Sequence, residues 1–429
     1  MLSELEKDFP VHTPRPAGAP TPLNGIRVVD LTHFIAGPFA TMMLANMGAD
    51  VIKIEATGRG DEFRYYPPAH PDDKTYGVPY LWANRNKRSI AIDLKSPRGV
   101  QIVKEMIASA DVVAENFSTG VMQRFGLDYE ACRAINPRII FCSVSGYGRS
   151  GAFADRLSFD PIAQAESGFV SMNGYADREG VRALSPVMDI STAMMTGNAI
   201  LGALFARTHT GVGQSVEVTL YDNALMMTGY ATAQSIFNGA DPQRWGNTSP
   251  DTCPSGVFHA SDQSFYINCG NDKIFQRLAL QVLDRPDLAA DPVLADRNGR
   301  MAQRESLFKV LEDAFGQQPW AHWQSRMRDA SIPCGEVRTV SQAMRSEETR
   351  ARGLVTRIEH PALGWLPNVN LPIRYSGTPL ADPVAAPTIG QQTGEILRSV
   401  LSYSEAQIAS LLADGVVGGE IGQVAAEPA

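Results

Sequence analysis

The sequence has little of what marks several protein classes. Its five cysteines are odd in number, with neither a CxxC pair nor a histidine spacing suited to a metal. That excludes a disulfide scaffold and a zinc site, and it predicts a reduced, cytoplasmic protein. Cations are in deficit, with 38 Lys and Arg against 46 Asp and Glu and a net charge of −8. No nucleic-acid partner is expected from that balance, although it leaves room for a local basic pocket. Long apolar runs are scarce as well. The most apolar stretch, Ala193–Ala206, is interrupted by Thr196 and Asn198 and reads as too short to span a bilayer. The acidic first residues lack the basic-then-apolar order of a signal peptide, so no membrane partner is expected. Also missing is a GxGxxG turn after the first strand candidate, which weakens a dehydrogenase reading.

What is present alternates between strand and helix. At 429 residues the chain calls for more than one domain. Arg27–Leu31 reads as a buried strand, followed by the loop His33–Pro38, a helix to about Met47, and a second strand, Val51–Glu55. Ser89–Leu94, Asp111–Glu115 and Arg138–Val144 continue the strands, with helices to about Ala110 and over Tyr129–Ile135 between them. The pattern predicts an α/β fold with a Rossmann-like, doubly wound parallel sheet. Ser215–Leu220 closes this first part, residues 1–220, whose first 22 residues form an arm. A linker at 221–235 leads to a smaller α+β domain at 236–330, with a hairpin over Val257–Asn268 and three helices (Phe275–Leu283, Gln303–Phe315, Trp320–Arg328). Ala231–Pro254 reads as loop, and 331–429 returns to the large domain with a helix at Ser404–Asp414 and a frayed end.

Chemistry-bearing residues gather at the expected strand ends. Asn84-Arg85-Asn86-Lys87-Arg88-Ser89 is either solvated surface or a phosphate clamp. Lys95 and Arg98 lie just after the strand that run opens, Arg124 follows Glu115–Gly120, and His33, Asn116 and Phe117 occupy loops beyond carboxyl ends of strands, where ligands collect in parallel sheets. Leu184–Ala193 carries Asp189 at the mouth of a long apolar helix candidate, Ala193–Arg207. Such an aspartate is a helix cap or a nucleophile, and the helix dipole should favour its ionised form. Asp160 admits the same capping role for the helix after it.

These blocks together resemble the class III CoA-transferase family, the group of formyl-CoA and carnitine CoA-transferases to which alpha-methylacyl-CoA racemase is related. The resemblance is carried by Pro22–Asp30, His33–Pro38, Gly48–Glu55, Asn86–Ser89, Glu115–Phe117, Gly146–Gly148, Gly202–Leu204, Thr210–Gln214 and Ile332–Gly335, and it spans roughly residues 22–400. It implies two subunits threaded as an interlocked-ring homodimer. It places the nucleophilic aspartate on Asp189 and CoA contacts on His33, Ile35, Ala36, Ile92, Lys95, Asn116, Phe117 and Arg124. It implies no metal and no tightly bound cofactor, with coenzyme A or acyl-CoA as substrate and a free carboxylic acid as acceptor. An arginine that some members carry after the second strand is Ala56 here, with Arg59 as a substitute, and Gly246–Pro250 stands for the family's mobile loop. Racemase relatives carry a histidine where this chain has Phe159, which cannot take a proton. Transfer is therefore the leading expectation, with racemisation and a CoA-binding protein without turnover as alternatives.

Overall fold

A computed structural model describes residues 9–71, 73–74 and 76–419. The chain divides into two compact units. The first comprises the described residues of Met1–Phe169, Arg182–Ala233 and Glu347–Ala429, and the second comprises Val170–Val181 and Gln234–Ser346. The second unit is wider than the 236–330 expected, for two local reasons. Cys334–Glu336 adds a third strand to its hairpin, and the Arg244 side chain donates to the carbonyls of Ser171, Tyr175 and Arg178.

The first unit is organised by β1 (Arg27–Leu31), β2 (Asp50–Glu55), β3 (Lys87–Ile92), β4 (Val112–Glu115), β5 (Ile140–Ser145) and β6 (Ser215–Thr219). These run parallel in the order β3-β2-β1-β4-β5-β6, the order of doubly wound dinucleotide-type sheets. The burial of both faces of the central strands follows from helices covering both sides of the sheet. In the second unit, β7 (Ser255–His259) and β8 (Ser264–Asn268) form the expected hairpin, joined by β9 (Cys334–Glu336). The return segment forms a second hairpin, β10 (Val355–His360) with β11 (Gly364–Val369), which the sequence reading missed. The end expected to fray instead supplies β12 (Val417–Gly418), paired antiparallel with β3; residues 420–429 lie outside the described residues. Ala231–Asn238 is helical rather than loop, within Tyr230–Asn238.

Three helices matter for the site: α1 (Ala36–Asn46), α2 (Asp160–Glu166) and α3 (Val187–Thr210). With 24 residues and a mean hydropathy of 1.2 over its most apolar window, α3 is longer than the apolar run read from sequence and meets the length and composition of a membrane span. Its Ile200, Ala203 and Leu204 nevertheless pack into a core cluster with Val28 and Val51 of the sheet. That is the position of a core helix in an α/β unit.

The central strands also bury charge. Lys87 Nζ lies 2.8 Å from Asp30, Lys53 Nζ lies 3.1 Å from Asp61, and Arg64 lies 2.7 Å from Glu55. Burial alone would raise the Asp30 carboxyl, but Lys87 and Lys53 hold it below its ordinary range. Removing one member of such a pair leaves an uncompensated buried charge, which costs about 3–5 kcal/mol. Lys87→Met is therefore expected to lower the urea-unfolding free energy by that amount, and adding Asp30→Asn should recover part of it.

Candidate active site

Helix α3 begins two residues before Asp189, so Asp189 stands in the first turn rather than at the cap. The capping position is Pro186, whose side chain makes no capping bond. The cap comes instead from another helix. Asp160, 4% exposed at the start of α2, accepts the backbone N–H of Met188 at 2.7 Å and of Asp189 at 3.3 Å through one carboxylate oxygen. Its other oxygen accepts Gln164 Nε2 at 2.6 Å, and Gln164 Oε1 accepts the N–H of Ala183 at 2.8 Å. The approach to α3 is thus held at both ends. Asp160 does not cap the helix it begins; it satisfies the first-turn donors of α3.

Asp189 is half-buried, and its carboxylate has no hydrogen-bond or ion-pair partner among the described residues. Burial, and then the charge of Asp160, pushes its pKa up from 3.8 to about 7. The expectation that the helix dipole would favour the ionised form is corrected here. The nearby first-turn donors are engaged by Asp160, and that residue brings a like charge beside Asp189.

The loop after β1 is built against this helix. Met188 and Ala36 share one core cluster with Val144 and Ala163, which sets the start of α1 beside the start of α3. Asn116 clasps the loop across the point where the strand order reverses: its Oδ1 accepts the His33 N–H and its Nδ2 donates to the His33 carbonyl, both at 2.8 Å. The His33 ring lies 5.0 Å from that of Phe117, and its Nδ1 is 3.8 Å from buried Asp61. Lys53 braces the loop from below, donating to the Thr32 carbonyl at 2.6 Å while pairing with Asp61. Phe34 takes φ +64°, a conformation uncommon for a bulky side chain, and its ring meets Phe159 edge-on at 6.1 Å. Ile35 is half-buried at the start of α1, where no side chain caps the helix.

A separate cleft of about 430 Å³ brings Lys95 and Arg124 together, with Lys104 and Phe125 also in its wall. Phe125 lies 6.5 Å from Phe117, so a run of rings connects this basic cleft to His33. Of the expected CoA contacts, Ile92 stands apart. Its side chain is fully buried in the sheet core, where β12 pairs alongside, and it cannot touch a ligand. Arg98 pairs with Asp414 and Arg59 with Glu62. Three further arginines flank these motifs: Arg149 is committed to Glu115 and the Phe117 carbonyl and Arg156 to Glu166, so neither is free for an acceptor carboxylate, and Arg182 is exposed. Gly246–Pro250 belongs to the second unit. No metal-holding group of His, Cys, Asp or Glu occurs among the described residues. Lys53 and Asp61 were not singled out from sequence, although a lysine inside Val-Ile-Lys-Ile was a signal, because such a charge is buried only when paired.

A doubly wound α/β protein with loops meeting at the switch point beside a helix-start carboxylate is the class these features define. A CAIB/BAIF family protein from Brucella suis has the same fold, with a TM-score of 0.79 and 32% identity, covering 88% of this chain and 98% of that one. The chain belongs to CoA-transferase family III, whose model matches residues 23–393. It is 37% identical over 398 residues to acetyl-CoA:oxalate CoA-transferase of Acetobacter aceti, covering 91% of this chain and 99% of the relative. It is 34% identical over 397 residues to succinyl-CoA:glutarate CoA-transferase of Mus musculus, covering 92% and 90% respectively.

The raised pKa of Asp189 has a consequence for stability. An acid whose folded pKa lies above its unfolded one is disfavoured as it ionises, so stability relative to a neutral residue falls as pH rises from about 4 to about 7. Partial exposure screens the effect to roughly 1–3 kcal/mol. Asp189→Asn is expected to match the wild type at pH 4 and exceed it by that amount at pH 8 in chemical unfolding. A pH-independent difference between the two would refute the raised value.

Proposed function

We propose that the protein moves CoA from an acyl-CoA thioester to a free carboxylic acid, with Asp189 as nucleophile. The observation that carries this reading is the unpartnered, half-buried Asp189 carboxylate at the start of α3, with its backbone held by Asp160. The family membership and the relatives' names support it.

In this reading the Asp189 carboxylate attacks the thioester carbonyl carbon, the C–S bond breaks, and CoA thiolate departs, leaving a mixed anhydride. The thiolate then attacks the Asp189 side-chain carbonyl and expels the donor acid, giving an aspartyl-CoA thioester. The acceptor carboxylate attacks that thioester and releases thiolate, which takes the new acyl group and frees Asp189. Each step exchanges one acyl bond for another, so charge and atoms balance without an outside proton, and one hard exchange becomes several easier ones. The basic cleft at Lys95 and Arg124 suits CoA phosphates, the rings of Phe117 and His33 suit its planar groups, and the uncapped N-terminus of α1 suits a developing oxyanion. Dicarboxylic acids are the acceptor class, by analogy with oxalate and glutarate in the relatives' names. Phe159 in place of a proton-carrying residue supports transfer over racemisation.

We also propose a homodimer with interlocked chains. Leu184, Phe205 and Tyr230 are 87%, 69% and 72% exposed in the single chain, an apolar surface that a second copy would cover.

Two experiments test these readings. Wild-type protein incubated with succinyl-CoA and no acceptor should accumulate a hydroxylamine-sensitive CoA adduct on the peptide bearing Asp189. Asp189→Asn should form no adduct and show no transfer to glutarate; near-normal turnover by that variant would sink the assignment. For the dimer, tagged and untagged protein mixed under native conditions should not form mixed dimers over hours, because threaded chains must open to exchange.

A further inference from the structure

The run Asn84–Ser89 does not act as one unit. Lys87 is paired with Asp30, and Arg88 with Asp50 and Glu395. Asn84 donates to the Tyr80 carbonyl, and Asn86 holds the Asp382 carbonyl and the Val384 N–H. Arg85 differs. Among the described residues four arginines are buried, and three of them meet a carboxylate: Arg64 with Glu55, Arg207 with Asp111 and Arg300 with Asp272. Arg85, 5% exposed, meets none. It donates to the Asn368 side-chain oxygen and lies 3.8 Å from the Met42 sulfur, and its Nε has no hydrogen-bond partner. A buried cation without a counter-ion is costly, and burial lowers its pKa to about 10, which still leaves it charged at neutral pH.

This guanidinium lines a cavity of about 570 Å³, within the range of small-molecule sites. None of the residues expected to contact CoA or to react lines it. A second buried donor lines it too: Asn46 Nδ2, in a residue 7% exposed, has no hydrogen-bond partner. Arg352 and Arg374 add charge to the wall. The acids there are Glu348 and Asp382, and Asp382 is engaged by His12 and Arg15. Cations therefore outnumber acids in the wall, by Arg15, Arg85, Arg352 and Arg374 against those two. The carbonyl of Asn46, at the negative end of α1, is occupied by the Ala381 N–H. Leu354, Leu371 and Ile373 add apolar side chains to the wall.

We infer that this cavity is a second ligand site, one that takes a small organic carboxylate, its oxygens on Arg85 and Asn46 and its carbon chain along Leu354, Leu371 and Ile373. Planar guanidinium matches carboxylate in two-point contact, and an apolar wall favours a carbon chain over a bare oxyanion. The inference does not depend on the identity of the nucleophile, since the cavity and the donors are separate from Asp189.

The test is equilibrium binding of radiolabelled glutarate to the full-length protein, with inorganic phosphate as competitor. Saturable binding is expected, retained in Asp189→Asn and displaced only weakly by phosphate. Arg352→Ala, at an exposed position in the cavity wall, should weaken it about ten-fold, the effect of one charge-assisted contact to the second carboxylate of glutarate. Arg85→Gln should remove one glutarate site per chain while leaving any acceptor binding beside Asp189, and the apparent KM for acyl-CoA should not change in Arg352→Ala. Binding whose site number and affinity are both unchanged in the two arginine variants, or that is lost altogether in Asp189→Asn, places the carboxylate elsewhere and overturns the inference. So does the absence of saturable binding, the result expected if a second copy fills the cavity. Phosphate that competes as well as unlabelled glutarate would overturn the assignment to an organic acid.

Discussion

The carboxylate of Asp160 accepts the backbone N–H groups that open α3, and both the place and the acidity of Asp189 follow from that contact. A helix whose cap position is proline needs its first donors satisfied from elsewhere, and α2 supplies the acceptor. The same contact brings a like charge beside Asp189 and engages a donor that would otherwise lie near it. A partly buried carboxylate in that position is disfavoured in its charged form, which is the meaning of a pKa near 7. An environment that penalises the anion favours any neutral derivative of the same side chain. In the proposed cycle the anhydride and the thioester are such derivatives, so the placement of Asp160 narrows the gap between the resting carboxylate and the covalent states.

The loop that faces Asp189 depends on charges that never reach solvent. Lys53 holds the Thr32 carbonyl and Asp61 at once, and Asp61 in turn stands behind the His33 ring. Above the sheet, Asn116 takes both backbone groups of His33. A loop held from two sides can keep Phe34 at a positive φ, which an unsupported chain would relax. Buried ion pairs contribute little net stability, yet they tolerate few alternative arrangements, and the positions of His33 and Ala36 relative to α3 are set by them.

The parallel sheet was legible because short strands rich in Val and Ile alternate with helices of ordinary length, and β1, β2 and β4 fell within one residue of their expected bounds. The antiparallel β10–β11 hairpin was not, since Val355–His360 carries Arg357 and Glu359 on its outer face and shows no continuous apolar run. The strand Val417–Gly418 was hidden for another reason. Two residues carry no periodicity, and only the edge of β3 makes them a strand. At the site, residue types announced themselves but partnerships did not. Asp160 and Asp189 were visible as two helix-start candidates. That one caps the other's helix is a fact of tertiary packing, with donor and acceptor 29 positions apart in the chain. Ile92 was misjudged in the same way, because the strand covering it comes from the far end of the sequence.

Asn84–Ser89 carries this lesson furthest. Its three cations look alike in sequence, and composition alone assigns them a common task on the surface or on a phosphate. In the fold they diverge, because alternate residues entering β3 point to opposite sides and meet different neighbours. Lys87 turns into the sheet and finds Asp30; Arg88 turns outward to Asp50 and Glu395; Arg85, before the strand begins, finds an amide and a thioether. What separates a structural cation from one available to a ligand is therefore whether a carboxylate is already bound to it. By that measure the basic residues of this chain sort into braces such as Lys53 and Arg149, and a smaller set, including Lys95, Arg124 and Arg85, that face cavities.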